Sequence, residues 1–286
     1  LPRTTVGTLE FRSIIEPIRT GRPGLEYFQA SCTAIDVKKS AILCEGAFDR
    51  KKFKLEYDIL VLAVGAAVNT FGVPGVRENA LFLKELSDAR SIRQRIIQCF
   101  EQAAQPNVSD DERRRLLHFV VVGGGPTGVE FAAEMHDFLT EDIRKTYRDL
   151  SGKVSIILLE ATSHILSTFD AALSDYTARL FKRQNIELRT ASLVTRIDAK
   201  SIHLKDGTRI PYGLVVWTAG IGPTEIVRSL RFEKDKHPDK WIDIEDPDDF
   251  LSQNPGYYLS RQQLWCEWHK ALQWPAFYSS HEYPDP

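Results

Sequence analysis

The run HFVVV (118–122) leads directly into GGGPTG (123–128), and VEFAAEMHDF follows with apolar residues at helical spacing. That order predicts a strand, a tight turn and a helix. Gly123 permits the turn, Gly125 lets the backbone come close to a pyrophosphate, and Gly128 lets helix and strand pack closely. The helix start offers unpaired N–H groups and a positive dipole end to an anion. The candidate dinucleotide residues are therefore Gly123, Gly124, Gly125, Pro126, Thr127 and Gly128. Glycine-rich turns also have purely structural uses, so the context carries more weight than the loop alone.

A second strand, Val154 to Leu159, ends at Glu160, where a carboxylate can accept hydrogen bonds from an adenosine ribose. Glu160 stands 32 residues beyond Gly128, against the roughly 20 usual for this arrangement, and HDFLTEDIRKTYRDLSGK reads as a longer crossover that fills the difference. A carboxylate here repels a 2′-phosphate, and ATSHI (161–165) brings no Lys or Arg to neutralise one, so NADH is favoured over NADPH. Glu130, in the first helical turn, is a carboxylate favourable with the helix dipole.

Further strand and helix patterns alternate around this unit. Residues 84–104 place Leu86, Ile92, Ile96, Ile97 and Phe100 on one helical face. Arg113 to Arg115 read as a charged solvent face. A helix is expected near Ala171 to Arg183, with β segments at 186–188, 193–198, 201–204 and 214–217 and a turn at KDGT (205–208). This predicts an α/β fold with a doubly wound parallel sheet. Upstream, residues 25–64 read as an antiparallel meander ending in a strand, Ile59 to Val64, whose apolar run implies cover on both faces.

The chain has 286 residues, enough for about two domains, and its net charge of −2 argues against nucleic acid as a partner. The longest stretch without a polar side chain, Ile59 to Val68, is half the roughly 20 residues a spanning helix needs. Cys32, Cys44, Cys99 and Cys266 lie far apart, with no CxxC and no His at ligand spacing, so neither a metal site nor a redox pair is expected. Elbow, Walker A, HExxH and kinase motifs are absent, which leaves hydrolysis and phosphoryl transfer without their apparatus. Residue 1 is Leu, so the sequence reads as a processed product or a fragment. After residue 230 the composition shifts, with Trp241, Trp265, Trp268 and Trp274 beside the acidic DIEDPDDF. Residues 221–286 read as a divergent acidic and aromatic tail to which no elements are assigned.

FVVVGGGPTGVEFAAEMHDF (119–138), preceded by CFEQAAQPNVSDDERRRLLH, resembles the NADH-binding core of type II, non-proton-pumping NADH dehydrogenases. Four more segments agree in order: VGTLEFRSIIEPIR (6–19), YDILVLAVGAAVNTFGVPGV (57–76), LKELSDARSIRQRI (83–96) and VVWTAGI (215–221). The resemblance implies the two-dinucleotide-binding flavoprotein fold: a partial FAD-binding domain at 1–82 and an NADH-binding, Rossmann-like domain at 83–220. It implies NADH:quinone oxidoreductase activity, with hydride passing from NADH to FAD and electrons to ubiquinone in the respiratory chain. Residue by residue, the glycine loop and Glu160 would bind NADH with Glu130 near the nicotinamide. Thr8, Ala63, Gly65 and Ala66 would lie near the flavin, and Ala219 and Gly220 where the chain returns toward the FAD domain. No acid–base side chain is implied.

The family's first glycine loop would precede Leu1, and its second flavin contact and membrane-docking region have no counterpart here. The resemblance further implies that full-length members associate peripherally with a membrane and dimerise, and it implies the inner-membrane surface of the mitochondrion. Two other readings stand open. One is an inert or NADH-binding-only product, suggested by the composition change after residue 230. The other is a related flavoprotein reductase with another acceptor, for which a disulfide is disfavoured because Cys32 and Cys44 are twelve residues apart.

Overall fold

A computed structural model describes residues 1–21, 24–229 and 257–259. The described residues form two units, one of residues 24–67, 222–229 and 257–259, the other of residues 1–21 and 68–221. The expected division ran at 82/83 and 220/221. Residues 1–21 and 68–82 lie in the same compact unit as the glycine loop.

In the first unit, β1 (Ala30–Asp36), β2 (Ala41–Gly46) and β3 (Lys52–Glu56) form the antiparallel meander expected from alternating apolar and charged residues. A bulge between Cys32 and Ala34 breaks the β1–β2 ladder. Cys32 and Cys44, distant in sequence, stand directly opposite each other across it. The next strand, β4, is shorter than expected, Leu60–Leu62, and is not covered on both faces. Leu62 is buried in a small cluster with Val227, while Ile59 and Val61 are each about three-fifths exposed, at 60% and 59%. Alternation in a strand with one buried face accounts for this. The segment after 220 is not featureless. Ile221–Pro223 is a strand, Glu225–Ser229 a helical turn, and Tyr257–Leu259 pairs parallel with β4. The tryptophans and DIEDPDDF lie outside the described residues.

The second unit opens with α1 (Pro2–Val6) and continues through β5 (Leu81–Phe82), α2 (Leu86–Ala103), α3 (Asp110–Leu116), β6 (His118–Val122) and α4 (Pro126–Phe138). It goes on through β7 (Ser155–Leu159), α5 (Ala171–Arg183), β8 (Ile186–Arg189), β9 (Val194–Asp198), β10 (Ser201–Leu204), β11 (Arg209–Pro211) and β12 (Leu214–Trp217). Five of these strands make one parallel sheet in the order β5-β12-β6-β7-β8. Because side chains alternate across a strand, Phe119 and Val121 face a core shared with α2, α4 and α5 through Ile92, Ile96, Phe100, Phe131, Met135 and Phe181. Val120, Val122, Ile157 and Trp217 face the other way, against Ile197, Ile202 and Ile210. That second face is covered by the antiparallel sheet β9-β10-β11 where a doubly wound sheet has helices.

Two side-chain expectations fail here. Ile97 is 40% exposed, and Cys99 and Ala103 take the buried positions on α2 instead. Arg113 and Arg115 are not a solvated face. Arg113 donates to the Ala103 and Val108 carbonyls, and Arg115 to the Tyr212 carbonyl and to both oxygens of Glu112. The Tyr212 carbonyl comes from a segment remote in sequence, while Ala103 and Val108 lie just upstream of Arg113. Only Arg114 behaves as expected, with its side chain 66% exposed.

Candidate nucleotide site

In a parallel sheet a crevice opens at the strand carboxyl ends where the strand order reverses. Here β6 is followed outward by β7 on one side, while its other neighbour, β12, arrives last in the chain. The glycine loop leaves β6 at that point. Gly123 has φ +116°, and a Cβ on it would lie 2.6 Å from the Ala219 nitrogen, so only glycine fits against the end of β12. Thr218 ties the two strand ends together. Its N–H donates to the Val122 carbonyl at 2.8 Å, and its hydroxyl reaches the Val122 and Gly123 carbonyls at 3.0 and 3.2 Å. A Cβ on Gly128 would lie 2.0 Å from the Gly123 oxygen, which draws α4 onto the strand end.

Gly125 is different. It is the N-cap of α4 in extended backbone, φ −73° and ψ 177°, and a Cβ there would meet no heavy atom within 4 Å. Nothing in the protein requires glycine at this position, so the constraint points outward, to something that approaches the backbone. No side chain caps α4, Pro126 brings no N–H, and the first intrahelical bond runs from Val129 N–H to the Gly125 carbonyl at 3.0 Å. Gly125 and Thr127 are exposed at this helix start, with the positive end of the dipole behind them.

Glu160 follows β7, next to the loop, and its carboxylate is held from two sides. Gly124 N–H donates to Oε2 at 2.6 Å, while the N–H and hydroxyl of Thr162 donate to Oε1 at 2.7 and 2.8 Å. A Cβ on Gly124 would come within 2.9 Å of Oε2, so a larger residue would displace the Glu160 side chain. The long crossover is helical: α4 continues into a π-turn, Leu139–Ile143, and short helices to Ser151, which absorbs the extra residues before β7. On the adjacent strand end Arg189 is paired with Glu187 at 2.7 Å.

The structure thus brings together Gly123, Gly124, Gly125, Pro126, Thr127, Gly128, Glu160 and Ala219. Glu130 is exposed on the first turns of α4. Gly220, φ +70°, lies beyond β12 where a Cβ would strike the Phe71 ring at 2.4 Å, and its carbonyl accepts the Asn69 N–H. Thr8 is not at the loop, and its hydroxyl donates to Glu134 on α4 at 3.4 Å. Ala63, Gly65 and Ala66 lie in the other unit, where Gly65 turns the chain with φ +64°. Thr162 carries no distinctive sequence signal, being a threonine just past a strand end.

The sequence profile of the pyridine nucleotide-disulphide oxidoreductases matches residues 4–245. The chain belongs to the pyridine nucleotide-disulphide oxidoreductase family. Among curated members it is 43% identical over 270 residues to the mitochondrial external alternative NAD(P)H-ubiquinone oxidoreductase B2 of Arabidopsis thaliana, covering 88% of this chain and 46% of that protein. It is 49% identical over 241 residues to a probable NADH dehydrogenase of Dictyostelium discoideum, covering 83% and 53%. Among solved members of the family, NDH2 from Plasmodium falciparum in complex with NADH superposes with a TM-score of 0.79 at 31% identity, over 90% of this chain and 55% of that one. The fold is that of the two-dinucleotide-binding flavoproteins. The chain spans about half the length of the curated relatives it matches.

Proposed function

We propose that this chain forms the nicotinamide-nucleotide-binding part of an NADH:quinone oxidoreductase. The observation that carries the reading is Gly125, a glycine unconstrained by its own protein at an uncapped helix start, beside a strand-end carboxylate. The space before Gly125 fits a diphosphate, and Glu160 fits the ribose next to it. The amides of Gly125 and Thr127 hold the bridging phosphates, Glu160 accepts from the ribose hydroxyls, and Glu130 stands toward the nicotinamide. The names of the relatives, NADH dehydrogenase and NAD(P)H-ubiquinone oxidoreductase, support this substrate pair.

FAD is the second group the reading calls for. The family resemblance supports Ala63, Gly65 and Ala66 as the residues near it, and the Gly65 backbone is open, with no heavy atom within 4 Å of where a Cβ would lie. When bound, FAD supplies the chemistry, accepting hydride from the nicotinamide and passing electrons to ubiquinone. The chain's own task is to bind, orient and discriminate, with no proton-transferring side chain required. We place the complete protein in the mitochondrion, on the inner-membrane surface, as a peripheral and dimeric enzyme. The mitochondrial relatives support the organelle. Among the described residues no helix is long and apolar enough to cross a membrane.

Titrating the purified chain with NADH, while recording its visible absorbance, tests the reading. Saturable NADH binding that Gly125→Val removes is expected, and binding indifferent to that change overturns it. A yellow protein supports flavin binding by this chain. A colourless protein that binds NADH favours the binding-only alternative.

A further inference from the structure

Cys32 and Cys44 are partners in the antiparallel ladder of β1 and β2, and both are free thiols. Ala47 N–H donates to the Gln29 carbonyl at 3.0 Å, which marks 29/47 as a hydrogen-bonded pair. Such pairs alternate with non-hydrogen-bonded ones. Passing inward through Ala30/Gly46 and Ser31/Glu45, Cys32/Cys44 is therefore of the non-hydrogen-bonded kind. Opposed Cα atoms in that kind of pair are about 4.5 Å apart, with their side chains at closest approach. A disulfide spans Cα separations of about 4.4–6.8 Å, so the backbone already meets its requirement.

The surroundings favour closure within the protein over reaction with a second molecule. Directly opposed residues project from the same face, and Phe53, the partner of Cys44 on β3, continues that row. Its ring lies 5.8 Å from that of Phe28. Cys44 is buried and Cys32 half-buried, so a reagent reaches Cys32 first. The bulge beside Cys32 leaves Thr33 without a ladder partner, which lets the strand adjust as the two sulfurs approach.

We propose that Cys32 and Cys44 are a dithiol modification site that reacts with small disulfides of the glutathione type and closes to a cross-strand disulfide. The Cys32 thiolate attacks one sulfur of the oxidant, whose S–S bond breaks, and one thiolate leaves and takes a proton from solvent. The Cys44 thiol gives its proton to solvent and attacks the Cys32 sulfur, expelling the second thiol. Two protein thiols are oxidised and one small disulfide is reduced to two thiols. Burial pushes both thiols up, and the Cys44 charge raises Cys32 further, so closure quickens as pH rises.

The test incubates the native chain with oxidised glutathione, quenches by alkylation, and maps the peptides after trypsin, which cuts between the two cysteines at Lys38 and Lys39. The expected product is lighter by two hydrogens and contains a reducible link between the Cys32 and Cys44 peptides. Cys99→Ser should close at the wild-type rate, because Cys99 is buried in the other unit. Cys44→Ser should stop at a glutathione adduct on Cys32. A lasting adduct on Cys32 of the wild type, a link made instead through Cys99 or Cys266, or two cysteines that still alkylate fully would each overturn the proposal.

Discussion

Gly124 donates its amide to Glu160 at 2.6 Å, so the loop that leaves β6 and the carboxylate that ends β7 are one hydrogen-bonded unit. A carboxylate offers about four acceptor positions. Three are filled, by Gly124 N–H, Thr162 N–H and the Thr162 hydroxyl, before any ligand arrives. The Thr162 hydroxyl also lies 2.9 Å from the His164 carbonyl, and its single proton serves one acceptor at a time. While it serves Glu160 it fixes the carboxylate in place, and the fourth position stays open for a ribose hydroxyl.

Glu160→Gln removes the charge and aims an NH2 group at donors that need an acceptor. A hydrogen bond to a charged group contributes roughly 1.5–3 kcal/mol. NADH affinity should fall by about tenfold or more, since ~1.4 kcal/mol is a factor of ten. Without the carboxylate to repel a 2′-phosphate, the preference for NADH over NADPH should narrow. Parallel titrations with the two nucleotides check this, and an unchanged preference ratio refutes the ribose role.

Gly125→Val and Gly128→Ala should separate binding from folding. At Gly125 the backbone is extended and the surroundings empty, so valine should leave the thermal midpoint unchanged while blocking the phosphate. At Gly128 a Cβ would lie 2.0 Å from the Gly123 oxygen, so alanine should destabilise by about 1–3 kcal/mol. Thermal unfolding beside an NADH titration reads both. Equal destabilisation by the two changes would mean that the Gly125 glycine is structural after all.

That contrast marks what the residues disclose and what they withhold. Strand, turn, helix and the acid at the next strand end could be read because each is fixed by chemistry within a few residues. The helix at 171–183 and the strands at 201–204 and 214–217 came out of periodicity for the same reason. The bond of Arg115 to Tyr212, and the facing of Cys32 and Cys44, could not be read, because their partners are brought in by chain folding. At the site, the position of Glu160 was readable and the hold of Thr162 on it was not.

Thr162→Val deletes the hydroxyl bond to Glu160 and keeps the N–H bond. One neutral hydrogen bond contributes about 1 kcal/mol, so NADH affinity should drop roughly fivefold with little loss of stability. Thr162→Ser restores the hydroxyl and should restore affinity and the NADH preference together. Failure of serine to rescue would show that packing of the methyl group, and not the hold on Glu160, is what matters.

Arg115 and Glu112 set an acid response of the fold. Two hydrogen bonds from Arg115, with Lys200 adding a third, hold the Glu112 carboxyl down at about 2, below its ordinary 4.5. A carboxyl depressed in the folded state contributes stability that is complete above the unfolded value and is lost as pH falls from 4.5 through about 2. Because Glu112 is partly open to water, its contribution should stay below about 1 kcal/mol. Glu112→Gln should therefore unfold in slightly less urea than the wild type at neutral pH, and the two curves should converge as pH drops through that window. Arg115→Ala should cost more at every pH, since it also strips the donor from the Tyr212 carbonyl. Wild-type and Glu112→Gln curves that stay a constant distance apart down to about pH 2 would show that the carboxylate's charge contributes nothing to folding.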